Sequence, residues 1–99
     1  MSEVSIVIPT YNESENIVNV LNEIELKLAG HNYEIIVVDD NSPDGTSELV
    51  KKRSIENRNI LCIRRTWKKG LSSAVVEGVA LSSKELICVM DGDLSLIHI

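Results

Sequence analysis

Asn32 to Thr46 reads NYEIIVVDDNSPDGT, and this stretch decides the fold. Ile35, Ile36, Val37 and Val38 form an unbroken run of β-branched residues, the pattern of a strand buried on both faces. Such strands belong to parallel sheets with helices on either side. Asp39 and Asp40 follow at the C-terminal end of the run, where open α/β sheets bind ligands. Asn41-Ser42-Pro43-Asp44-Gly45-Thr46 then supplies turn chemistry: Pro43 presets φ, and Gly45 is free to take a positive φ. Asp44 or Thr46 is placed to cap a helix starting there. Taken alone, the two aspartates read equally well as solvated loop acids. They gain weight because the same design recurs twice more in the chain.

Upstream, Val4 to Ile8 reads as a short buried strand, ended by Pro9-Thr10-Tyr11-Asn12. A helix is expected next, with Asn12 or Ser14 as cap and Glu13 and Glu15 near its positive end. Ile17, Leu21, Ile24 and Leu28 make its apolar stripe, and Gly30 stops it. Downstream of the central stretch, a helix is expected from about Thr46 to Ser54, with Leu49 and Val50 inward. Ile60 to Ile63 is a third strand, and Arg64 to Gly70 a basic loop. Leu71 to about Leu81 reads as a helix that turns Ala74, Val75 and Val79 to the sheet. Gly78 inside it marks close packing. Leu86 to Met90 is a fourth buried strand, followed by Asp91-Gly92-Asp93. The order βαβαβαβ demands a parallel sheet with right-handed crossovers.

A chain of 99 residues with 43% hydrophobic and 25% charged residues is a globular domain or a piece of one. A net charge of −5 without a long basic tract argues against nucleic acid as partner. Glu3 and Pro9 break any leader-like pattern, and no stretch approaches the ~20 apolar residues of a membrane span. Cys62 and Cys88 each lie within an apolar run, which predicts buried, reduced thiols rather than metal ligands.

Three strands thus end in polar clusters: Pro9 to Glu13, Asp39-Asp40, and Asp91-Gly92-Asp93. In a parallel sheet all C-terminal ends share one rim, so these sequence-distant groups meet there. Asp91 and Asp93 can offer hard oxygen ligands to Mg²⁺ or Mn²⁺, with substrate phosphates completing the shell. The alternative is an Asp-Gly turn with solvated acids. Tyr11 could stack a base or merely plug the rim, and Glu13 could be no more than a first-turn helix charge. Arg64, Arg65, Lys68 and Lys69 read as solvated, or as the cations of a diphosphate subsite.

IPTYNE (Ile8 to Glu13), NYEIIVVDDNSPDGT, KKGLSSA (Lys68 to Ala74) and MDGDLS (Met90 to Ser95) stand in the order and register of family 2 glycosyltransferases. The chain resembles that family's N-terminal part, and within it the polyprenyl-phosphate mannosyltransferase group, over residues 3 to 95. The resemblance implies the nucleotide-binding α/β half of a GT-A fold, a GDP-mannose donor, a divalent cation (Mg²⁺ or Mn²⁺) and a dolichyl- or polyprenyl-phosphate acceptor. It makes Pro9, Tyr11, Glu13, Val38 and Asp40 nucleotide-contacting positions. Asp91, Gly92 and Asp93 become the donor and metal motif, with Asp91 and Asp93 catalytic, and Ser95 a position that can complete the metal set. It implies work at the cytoplasmic face of a membrane, with anchoring by later segments or a partner subunit.

The chain departs from the family pattern at Ser72, where a second glycine is usual, and after Ser95, where Leu96-Ile97-His98-Ile99 replaces a polar acceptor motif. Residues 1–95 are therefore read as an incomplete donor-binding domain, inactive by itself, and 96–99 as a non-native tail that leaves the fourth strand a free edge. The implied reaction is a single inverting displacement. A phosphate monoester acceptor is already anionic, so the main task is to stabilise departing GDP, with the Arg64–Lys69 loop assisting. Competing readings are another family 2 transferase, such as a polyprenyl-phosphate glucosyltransferase, a non-catalytic nucleotide-binding fragment, and a phosphorelay receiver with Asp91 as phospho-acceptor. The receiver reading lacks a Met-Pro after Asp91 and a later lysine strand.

Overall fold

The computed structural model describes residues 3–66, 74, 79, 86–90 and 96–98. The elements are β1 (Glu3–Thr10), α1 (Ile17–Lys27), β2 (Asn32–Asp39), α2 (Thr46–Glu56), β3 (Ile60–Arg64), β4 (Leu86–Met90) and β5 (Leu96–His98). They form one sheet of order β3-β2-β1-β4-β5. The first three pairings are parallel and the last antiparallel.

The two faces of the sheet are covered by different stretches of chain. Val4, Ile6 and Ile8 of β1, Tyr33, Ile35 and Val37 of β2, and Ile60 of β3 pack against Ile17, Val20, Leu21 and Ile24 of α1 and Val50 of α2. On the opposite face Ile36 and Val38 meet buried Ala74, with Ile63 against them. Ala74 and Val79 are helical. The rest of the expected Leu71–Leu81 helix, including Val75 and Gly78, lies outside the described residues. Ile35 to Val38 are all fully buried, as their unbroken apolar run requires, and each such side chain contributes about 1.5–3 kcal/mol by leaving water.

Several boundaries differ from the sequence reading. Helix α1 starts at Ile17 rather than near Asn12, and its N-cap Asn16 makes no side-chain capping bond. The preceding turn closes through the Glu13 carbonyl, which accepts from the Asn16 and Ile17 amides at 3.0 and 2.8 Å. Leu28 ends the helix, and Gly30, at φ +85°, turns the chain into β2. Helix α2 runs to Glu56, with Val50 buried and Leu49 half-buried. β4 is not a free edge: Cys88, Val89 and Met90 pair with His98, Ile97 and Leu96 of β5. The sequence reading missed β5 because three residues carry too little period to register as a strand.

Candidate functional site

The strand order creates a switch point. From β1 the chain steps through β2 to β3 on one side, while β4 lies on the other side of β1. Open α/β sheets hold their ligands outside the carboxyl ends of the strands at such a point. The register aligns the rim: Thr10 stands beside Asp39, and Asp39 beside Arg64. Pro9 and Val38 stand one level below, side by side and buried. On the other side of β1, β4 ends at Met90, which pairs with Leu96 of β5.

The two neighbouring aspartates have separate roles. Asp39, at 0% exposure, is held within the rim. Its Oδ1 accepts from Thr10 Oγ1 at 2.7 Å and from Ser42 Oγ at 2.6 Å, and its Oδ2 accepts from the Ser42 amide at 2.9 Å. Asp40, 7% exposed, pairs through Oδ1 with Arg65, whose Nε donates at 2.6 Å and whose Nη2 lies at 2.5 Å. Arg65 is only 2% exposed, and its amide donates to the Asp39 carbonyl at 2.8 Å. These positions correct the solvated reading for both acids and for Arg65. A carboxylate and a guanidinium can leave water together when each satisfies the other. Arg64 is different: its Nε donates to Asn41 Oδ1 at 3.0 Å and its Nη1 lies 3.5 Å from Glu48, at the surface.

A second network joins the β1–α1 loop to the β2–α2 loop. Three consecutive amides of the first loop are bound by three side chains of the second. The Asn12 amide donates to Ser42 Oγ at 2.9 Å, the Glu13 amide to Thr46 Oγ1 at 3.0 Å, and the Ser14 amide to Asp44 Oδ2 at 3.1 Å. Asp44 Oδ1 also accepts from the Thr46 amide at 3.1 Å and from Thr46 Oγ1 at 2.5 Å. Asp44 therefore satisfies the first amide of α2, while Gly45, at φ +90°, holds the N-cap position with no side-chain bond of its own. The Thr46 hydroxyl, followed by the Ser14 contacts, holds the Asp44 carboxyl down to a pKa of about 2. Asn12 and Asn41 both adopt left-handed backbone, at φ 57° and 59°, a conformation asparagine tolerates.

Among the expected site residues, Pro9 and Val38 form the buried level under the rim, and Glu13 is half-buried with Oε1 accepting from Asn16 Nδ2 at 3.3 Å. Tyr11 is 57% exposed, so its ring projects from the rim instead of plugging it. Asp91, Gly92, Asp93 and Ser95 lie outside the described residues. Among the described residues no group of three His, Cys, Asp or Glu side chains could hold a metal ion. Cys62 is free and half-buried, its Sγ 3.8 Å from the Ser47 carbonyl, and burial followed by the charge of Asp39 raises its pKa to about 11. Sequence reasoning missed Thr10, Ser42 and Arg65 as partners, and Thr46 as an inter-loop acceptor. The alternate spacing of Ser42, Asp44 and Thr46 was the available signal.

Comparison with known proteins agrees with this geometry. The family model for glycosyl transferase family 2 matches residues 5–97. The chain is 49% identical over 92 residues to a dolichol-phosphate mannosyltransferase of Pyrococcus furiosus, covering 93% of this chain and 26% of that protein. It is 36% identical over 96 residues to a dolichol-phosphate mannosyltransferase of Mycosarcoma maydis, covering 91% of this chain and 33% of that one. The chain thus spans about a quarter to a third of the length of these curated relatives. Among solved structures, a Pyrobaculum calidifontis mannosyltransferase in complex with GDP-Man and Mn²⁺ superposes with TM-score 0.78 at 24% identity, covering 91% of this chain and 27% of that one. Mannosyl-3-phosphoglycerate synthase from Rubrobacter xylanophilus superposes with TM-score 0.76 at 21% identity, over 93% of this chain and 31% of that one. At these identities the likeness shows the fold, the α/β sheet of GT-A glycosyltransferases. With a family model matching nearly its whole length and a switch-point rim built as that fold requires, the chain belongs to glycosyl transferase family 2.

Proposed function

We propose that residues 1–95 are the donor-binding part of an inverting mannosyltransferase that moves mannose from GDP-mannose to a dolichyl or other polyprenyl phosphate. The observation that carries this reading is the 49% identity, over 93% of the chain, to a dolichol-phosphate mannosyltransferase. The rim supports it: Pro9 and Val38 offer an apolar floor, Tyr11 a projecting ring, and Asp40 a carboxylate anchored by Arg65. In this reading Tyr11 packs on the nucleoside, and Asp40 and Glu13 accept hydrogen bonds from it. Transfer requires an acceptor-binding part beyond residues 1–95, so this stretch alone binds donor without turnover.

Asp91 and Asp93, with Ser95, would hold Mg²⁺ or Mn²⁺ beside the diphosphate. The cation supplies positive charge to a departing GDP. Asp91 directly follows Met90, the last residue of β4, the strand that lies beside β1 at the switch point. The acceptor phosphate is anionic at neutral pH, so no side chain of this chain has to remove a proton from it. What the protein must do is orient the donor, exclude water and balance diphosphate charge, with Arg64 and the lysines of the basic loop as candidates for the last task. The reading sets this work at the cytoplasmic face of a membrane, held there by a later segment or a partner subunit. No helix of the described residues is long and apolar enough to cross one.

A second reading, another sugar or acceptor within the family, is favoured by the 36% identity to glycosyltransferase AglE of Haloferax volcanii. Calorimetric titration of the intact protein with GDP and with UDP, with and without Mn²⁺, separates the two. Metal-dependent binding of GDP alone supports the first, and preference for UDP rejects it. Asp93→Asn should then cut turnover by about 100-fold or more and abolish the Mn²⁺ dependence of donor binding. Unchanged turnover and metal dependence would remove Asp93 from the site.

A further inference from the structure

Three adjacent amides, those of Asn12, Glu13 and Ser14, fall in a gap between two secondary elements. β1 ends at Thr10 and α1 begins at Ile17. The loop's own backbone bonds begin only at the Asn16 and Ile17 amides, both taken by the Glu13 carbonyl. What the loop's backbone does not supply, the neighbouring loop does: Ser42, Thr46 and Asp44 accept from the three amides in turn, at 2.9, 3.0 and 3.1 Å. The donors lie 30 to 33 residues from their acceptors in sequence, so tertiary structure sets these three contacts. Asp44 organises two of the three contacts. One oxygen receives Ser14, and the other receives the Thr46 hydroxyl hydrogen, which leaves the Thr46 oxygen lone pairs facing Glu13. Ser42 is oriented the same way by Asp39, to which its hydroxyl donates at 2.6 Å.

The segment held in this way carries Tyr11 and Glu13. We propose that Asp44, acting with Thr46, is a positioning residue. Its carboxylate locks the β1–α1 loop so that the Tyr11 ring and the Glu13 carboxylate are already in place when the nucleotide arrives. The proposal rests on the reading of Tyr11 and Glu13 as nucleotide contacts. Asp44 is exposed and binds the Ser14 amide and both the amide and hydroxyl of Thr46, so its role is exerted through the loop. A loop fixed before binding lowers the ordering cost of association, and the gain appears in affinity for the nucleoside rather than in the rate of transfer.

Three substitutions in the intact protein test this. Asp44→Asn retains an acceptor for Thr46 but turns an NH₂ group toward the Ser14 amide, donor against donor. Thr46→Val keeps the shape and removes the acceptor for Glu13. Thr46→Ser keeps the hydroxyl. GDP affinity is read by calorimetry, and amide hydrogen exchange is read at Asn12 to Ser14 and, as a control, at Ile35 to Val38. The expected result is a GDP Kd raised about tenfold in Asp44→Asn and Thr46→Val, with faster exchange confined to the loop, and both restored to within about twofold in Thr46→Ser. Donor KM should rise with kcat changed less. Wild-type protein that fails to bind GDP overturns the functional reading. Wild-type protein that binds GDP no better than folded Asp44→Asn and Thr46→Val leaves that reading standing and overturns the positioning role. If Asp44→Asn does not fold, the valine and serine pair decides. If Thr46→Val does not fold either, the contacts serve stability alone and the proposal fails.

Discussion

Replacing Asp39 by alanine should act by destabilising the domain rather than by removing a substrate contact. Asp39 is fully buried and accepts three hydrogen bonds, from Thr10 Oγ1, Ser42 Oγ and the Ser42 amide. A hydrogen bond to a charged group contributes about 1.5–3 kcal/mol, and its loss leaves a buried donor unpaired. The three bonds share one carboxylate and one serine, so they do not add independently. A loss of about 4–6 kcal/mol is the expectation for Asp39→Ala, against a total stability of about 5–15 kcal/mol for a domain. Asp39→Asn keeps an oxygen for the two hydroxyls but meets the Ser42 amide with an NH₂ group, and should lose about 1.5–3 kcal/mol. The damage should also reach the β1–α1 loop, because the Ser42 hydroxyl that Asp39 orients is the acceptor for Asn12. Urea unfolding of the intact protein followed by circular dichroism measures the stability loss. An Asp39→Ala protein that unfolds cooperatively within about 1 kcal/mol of wild type would refute the reasoning, because that is the scale of an ordinary surface substitution.

The buried Asp40–Arg65 pair should behave in kind: Arg65→Met is expected to cost about 3–5 kcal/mol in urea unfolding, and a loss below about 1 kcal/mol would return Arg65 to the solvated class. Asp44 has a folded pKa of about 2, depressed from 3.8, so the stability it contributes is fully present above about pH 4 and is lost as pH falls through 2. Amide protection at Ser14 should therefore be flat from neutral pH to about 4, and a midpoint near 4 would show that the carboxylate is not engaged as described. Cys62, with a pKa raised from 9.0 to about 11, should alkylate at pH 8 about 100-fold more slowly than an unperturbed thiol, and rapid labelling mapped to Cys62 by mass spectrometry would contradict its burial.

Much of this architecture was legible in the residues. The unbroken run Ile35 to Val38 required a strand covered on both faces, and the structure places α1 and α2 on one side and Ala74 on the other. The turn residues after Asp40 required a sharp reversal into a helix, and Gly45 takes the positive φ that this needs. These signals are local: burial period, backbone freedom and capping chemistry act within a few residues, so the chain displays them directly. The motifs from Ile8 to Ser95 likewise sufficed to place the chain in its family.

Tertiary structure alone decided what each polar residue does. By charge and spacing Asp39 and Asp40 read alike, yet Asp39, the last residue of β2, is bound to Thr10 and Ser42, and Asp40, the first residue beyond the strand, is bound to Arg65. Helix α1 begins at Ile17, beyond the expected caps Asn12 and Ser14, and the amides of Asn12, Glu13 and Ser14 donate instead to side chains some thirty residues away. β4 acquires a neighbour on each side, because β5 folds back onto it. The switch point between β1 and β4 exists only once the strands are ordered in space. A hydrogen bond across thirty residues leaves no periodic trace in the chain, since its partners are matched by the sheet register and not by their spacing.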